Sequence, residues 1–117
     1  MTLQQHIRKL ESELGQSLRV DYPIQFADLN DDIVGLCQTT RWTDGRVERL
    51  IRLDSEWWST ASDISREWVM LHEVGHCTYD FDDDGTDGVM DGIIRTVSAA
   101  EWKEMKAAMF HRIAGRP

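Results

Sequence analysis

The chain has 117 residues, 41% of them hydrophobic, with 21 Asp and Glu against 13 Lys and Arg and a formal net charge of −8. That length suits one domain, residues 1–117, around a single core. The acidic balance argues against non-specific nucleic-acid binding and against an anionic membrane surface, both of which need basic patches, and no stretch reaches transmembrane length.

Residues 2–18 read as a first helix. Thr2 is its candidate cap, and Leu3, Ile7, Leu10, Leu14 and Leu18 recur at helical spacing. His6 is expected on the exposed side of that stripe. The same stretch, Met1 to Leu10, holds His6, Arg8 and Lys9 and no apolar run, so it does not read as a signal peptide. The default address is then the cytoplasm of the producing cell, or a particle assembled there. In that setting Cys37 and Cys77 are expected to be free thiols, with Cys77 a packing residue.

Val20 to Phe26 reads as a short strand, with Pro23 marking an edge or a strand start. Ile33 to Trp42 and Arg46 to Leu53 read as two strands joined at Thr43-Asp44-Gly45, a hairpin signal. Trp57 and Trp58 follow and are expected to cover the junction between sheet and helix. Ser59, Ser62 and Asp63 are candidate caps for a helix over about 60–79, in which Ile64, Trp68 and Leu71 keep helical spacing.

The last two turns of that helix carry His72-Glu73-Val74-Gly75-His76. At i and i+4 the two imidazoles leave one face and can grip one metal ion. Glu73 lies about 100° further round the axis, beside the metal rather than on it, where a general base belongs. The surrounding Val69, Met70, Leu71, Val74, Gly75 and Cys77 carry no charge, as a buried helix requires. Gly75 weakens a helix interior by up to ~1 kcal/mol relative to Ala, which suggests a close neighbour at that turn.

Downstream, Asp80-Phe81-Asp82-Asp83-Asp84-Gly85 offers carboxylates, acceptable zinc ligands. Asp80, Asp82, Asp84, Gly85 and Asp91 also match a D-x-D-x-D-G-x5-E calcium loop with Asp91 at the last position. Against an EF-hand, Asp87 stands where an apolar residue is usual and no amphipathic helix starts after Asp91. A structural Ca2+ site in the Asp80–Asp91 loop stays open, as does a solvated acidic loop. Ser98-Ala99-Ala100-Glu101 is a capping box opening a last helix with Trp102, Met105, Met109 and Ile113 on one face, and His111 near its end suits the helix dipole.

These residues resemble the zincin metallopeptidases, and among them the metzincins, whose long signature is H-E-x-x-H-x-x-G-x-x-H or -D followed by a Met-turn. Asp82 stands in the sixth-residue slot for the third ligand. Small phage and bacterial metallopeptidases with H-E-x-G-H-C place that ligand seven residues on, at Asp83, and His76-Cys77 matches them better. The choice between Asp83 and Asp82 stays open, leaning to Asp83. Gly88-Val89-Met90-Asp91 looks like the Met-turn. Tyr79 replaces the family's turn glycine, so the helix is expected to run longer before it bends. The likeness covers residues 69–91. It implies an α+β fold with an N-terminal helix, a small mixed sheet of three or four strands, the active-site helix, an acidic loop with its Met-turn, and a C-terminal helix. It further implies Zn2+ held by His72, His76 and an aspartate, Glu73 as the base, and a peptide or protein substrate added as a strand to one sheet edge. Such small proteins are common in phage. The alternative is a non-catalytic metal-binding domain with structural zinc or calcium.

Overall fold

The computed structural model describes residues 1–30, 32–85 and 88–115. Helix α1, Leu3–Leu14, begins with a full capping box: Thr2 Oγ1 accepts the Gln5 N–H and the Gln5 side chain accepts the Thr2 N–H. It stops short of the expected residue 18 because Gly15 turns left-handed, at φ 83°, a conformation glycine adopts without a Cβ penalty. Leu18 is nonetheless fully buried, its N–H held by the Glu11 carboxylate at 2.7 Å.

Strand β1, Ile24–Ala27, is shorter than expected. Pro23 has no N–H to give a ladder, and its carbonyl instead accepts from Ile51. Strands β2, Gly35–Arg41, and β3, Val47–Asp54, form the expected hairpin, with Gly45 at φ 91° in the turn. The sheet order is β1-β3-β2, with β3 parallel to β1 and antiparallel to β2. β2 is therefore an edge strand.

The helix expected over about 60–79 forms over Asp63–Tyr79, and a short helix that was not expected precedes it. Helix α2, Ser55–Thr60, is capped by Asp54, whose carboxylate accepts the N–H of Trp57 and of Leu29. Those two bonds hold its carboxyl below the usual range. Helix α3, Asp63–Tyr79, starts at Ser62, whose hydroxyl accepts the Ser65 N–H. Helix α4, Ala99–Ala114, opens on the Ser98/Glu101 capping box.

Helix α3 is the central element, buried on nearly every side from Glu67 to Gly75. One face lies on the sheet, against Ile51 and Leu53 of β3 and against β2. Another meets α4, where Trp68 stacks on Trp102 with centroids 6.1 Å apart. Glu67, buried, accepts from Trp102 Nε1 and from Lys9 and Lys106, tying α1, α3 and α4 together. Burial pushes its carboxyl up, and those three partners outweigh it and hold it below the usual range.

The architecture is α+β, as the sequence leads one to expect: four helices and a three-stranded mixed sheet. Two residue-level expectations fail. His6 is 3% exposed and meets Trp58 edge-on at 5.3 Å; it lies four residues before Leu10, on the flank of the buried stripe. Cys37 and Cys77 are not free thiols but a disulfide joining β2 to α3, with Cα atoms 5.6 Å apart. No described helix is long and apolar enough to cross a membrane.

Candidate metal centre

His72 and His76 are aimed from behind by backbone. His72 Nδ1 lies 2.7 Å from the Val89 carbonyl, and His76 Nδ1 lies 2.6 Å from the Phe81 carbonyl. A carbonyl can only accept, so each Nδ1 carries the hydrogen, and in a neutral ring each Nε2 is then a bare lone pair. The two Nε2 atoms are 3.0 Å apart, and Asp83 Oδ1 stands 3.0 Å from one and 2.9 Å from the other. Three acceptors converge on one point, an arrangement that repels itself unless a cation or a proton sits among them. A tetrahedral zinc ion about 2.0–2.1 Å from each atom would space them by about 3.3 Å, so a slight outward relaxation fits it. Burial is the largest influence on His72 and lowers its pKa below 6.5, against the opposing pull of the Val89 carbonyl.

Asp83, not Asp82, joins the histidines. Among the described residues theirs is the one group of three or more His, Cys, Asp or Glu side chains with converging ligand atoms. The reason lies at the end of α3. The helix runs through Tyr79, and the left-handed residue is Asp80, at φ 54°. Both Asp80 and Phe81 donate their N–H to the Gly75 carbonyl. The bend comes one residue later than in the long signature, and the third side chain moves on by one residue with it. Asp82 stays exposed.

Three other aspartates of this loop pair with arginines. Asp80 meets Arg49 at 3.0 Å, Asp84 meets Arg112 at 3.7 Å, and Asp91 meets Arg95 at 3.7 Å. The calcium reading thus gains no converging carboxylates among the described residues; Asp87 lies outside them. Arg49 also donates to the Cys77 carbonyl, so β3 clamps the helix end that carries the second histidine.

The segment Gly88-Val89-Met90-Asp91 turns back through a bond from Asp91 N–H to the Gly88 carbonyl. Met90 is buried beneath α3, where a Cβ on Gly75 would stand 2.6 Å from its sulfur and 2.9 Å from Met109 Cε. The close neighbour expected from Gly75 is this pair of methionines. Val89 contributes its carbonyl twice, accepting from His72 and, at 3.0 Å, from Trp68 Nε1.

Glu73 is 6% exposed and stands beside the group without joining it. Burial pushes its carboxyl up to about 7, with the opposing influence of His76 smaller. His72, Glu73, His76 and Asp83 line a cleft of about 480 Å3 between α3 and β2, with Gly35, Cys37 and Thr39 along the strand side. The hydrogen bonds that link Val34 to Asp54 and Trp42 to Arg46 put the even-numbered residues of β2 in the ladder with β3. Gly35, Cys37 and Thr39 therefore turn their amides toward the free edge. A larger hollow, about 780 Å3 over Tyr22, Gln38 and Arg49, lacks the converging group; chemistry rather than size selects the smaller one.

Sequence reasoning missed the carbonyls of Phe81 and Val89 and the Cys37–Cys77 bond. Only the cysteine count carried a signal, since backbone acceptors have no signature in side-chain identity. No family model matches the chain, and no curated protein or solved structure matches it either.

Proposed function

We propose that this centre is that of a zinc-dependent metallopeptidase, with His72, His76 and Asp83 as metal ligands and Glu73 as general base. The observation that carries the proposal is the convergence of three lone-pair donors beside a buried carboxylate in an open cleft. When bound, the ion supplies Lewis acidity, lowering the pKa of water and polarising a carbonyl oxygen.

Glu73 takes a proton as the water oxygen bonds to the peptide carbon, and gives it to the departing amine as the C–N bond breaks. Burial raises the Glu73 carboxyl, which strengthens it as a proton acceptor. The substrate peptide lies extended along β2, pairing with the outward amides of Gly35, Cys37 and Thr39. Three protein ligands with an open side favour catalysis over a structural zinc site, which closes its coordination with a fourth ligand. The disulfide favours an oxidising setting over the cytoplasm expected from the sequence.

The test is metal analysis and hydrolysis of a peptide library. Wild type should hold about one zinc per chain, matching the single converging group, and His72→Ala should lose it. Glu73→Gln should keep the zinc and lose about 10²–10⁴-fold in hydrolysis, the range for a general base. Zinc-free wild type, or a fully active Glu73→Gln, would overturn the proposal.

A further inference from the structure

Gly35 has no backbone need to be glycine, since its φ is not among the positive values of the chain. What it lacks is room. A Cβ at this position would stand 2.9 Å from Val69 Cγ1 and 3.3 Å from both Cγ and Oε2 of Glu73.

Three restraints decide which partner would yield to such an atom. Val69 is β-branched on a helix, where its χ1 is held in one rotamer. The strand cannot back away readily, because Gly35 is in register with Leu53 of β3 and the Cys37–Cys77 bond ties β2 to α3 two residues further on. Glu73 is the long, unbranched side chain of the set, and its carboxylate opens into the cleft. The 2.9 Å contact needs a small shift of Val69 or of the strand, and at the two 3.3 Å contacts Glu73 is the group free to turn aside.

We propose that Gly35 is a positioning residue for Glu73: the bare Cα of β2 is the wall that sets where the Glu73 carboxylate stands relative to His72, His76 and Asp83. This rests on the peptidase reading, in which that placement matters. Gly35 itself touches no reacting atom, and its pairing with substrate is through the backbone amide, which Gly35→Ala keeps.

The experiment compares Gly35→Ala with wild type and with Glu73→Gln, each as the oxidised full chain reconstituted with zinc. Zinc content and KM should stay near wild type while kcat falls about 10- to 100-fold, the scale on which a displacement of about 1 Å acts. A second readout is binding of acetohydroxamate to the zinc-loaded protein, in which the Glu73 carboxylate would accept a hydrogen bond from the probe. Gly35→Ala should weaken that binding to the same extent as Glu73→Gln.

Wild-type kcat and hydroxamate affinity in a folded Gly35→Ala would overturn the proposal. So would loss of zinc in step with kcat, the mark of a purely structural role. If zinc-loaded wild type binds the probe but hydrolyses nothing, the peptidase reading fails and the hydroxamate comparison still decides the placement of Glu73. Wild type that takes up no zinc would overturn both. Should Gly35→Ala not fold, Gly35→Ala/Val69→Ala removes the 2.9 Å contact and keeps those to Glu73. Recovery of wild-type kcat in that double variant would also count against the proposal, because packing on Val69 would then be the whole effect.

Discussion

Neither ring nitrogen of His6 has a hydrogen-bond partner among the described residues, although the side chain is buried against Trp58. Burial, with the amino terminus and Arg66 adding to it, lowers its pKa below 6.5; Glu67 and Asp63 oppose this less strongly. The folded state therefore binds fewer protons at this site than the unfolded state. No stability is lost above pH 6.5, and it falls as the pH drops from 6.5 toward the folded-state value. His6→Phe keeps an aromatic ring beside Trp58 and removes two unpaired polar atoms. It should stabilise the protein at pH 7 by about 1 kcal/mol, and the gap should widen by pH 5.5. Urea unfolding at the two pH values measures this; a gap that narrows would contradict the account. At this scale the sequence was legible where a side chain acts by its own spacing. His72, Glu73 and His76 are evident from i, i+1, i+4. His6 was misjudged because it sits at the margin of its stripe, where spacing does not separate buried from exposed.

The end of α3 shows how the phase of an element selects a side chain. Tyr79 carries the helix on, Asp80 takes the left-handed bend, and Arg49 from β3 holds the last turn. Asp83 rather than Asp82 then meets the histidines. Asp83→Ala should lower zinc affinity by at least about 100-fold, the upper range for an outer-shell partner, while Asp82→Ala should leave it unchanged. Competition with a chelating dye measures both, and the reverse result would mean that the loop refolds around the ion. Helix starts were legible because Thr2, Ser62 and Ser98 each cap through their own side chain. Helix α2 was not legible, since six residues are too few to show a helical period. The strand order β1-β3-β2 was not legible, because pairing across the sheet is decided by partners distant in sequence.

Across the whole molecule, the α+β order follows from the run of periodicities along the chain, and the Cys37–Cys77 bond does not. The cysteines are 40 residues apart, one on an edge strand and one in a buried helix, and only the packing of α3 on β2 brings them together. A loop of that length constrains the unfolded chain by about 3–4 kcal/mol in the chain-entropy account. Cys37→Ser/Cys77→Ser should lose about that much in urea unfolding, and a non-thiol reductant should bring wild type down to the level of the variant. Equal stability of oxidised and reduced wild type would show that the bond is not formed. Because it joins the strand side of the cleft to the residue after His76, its loss should also loosen the space between β2 and Glu73.

The Phe81 and Val89 carbonyls lie on either side of the acidic segment that delivers Asp83, and each is fastened to one of the two histidines. The entropy of closing that loop is thus met when the chain folds, not when an ion arrives. An incoming cation would complete a ring already shut at both ends. Its affinity would then reflect the strength of three bonds and the dehydration of the ion, with little deducted for ordering the protein.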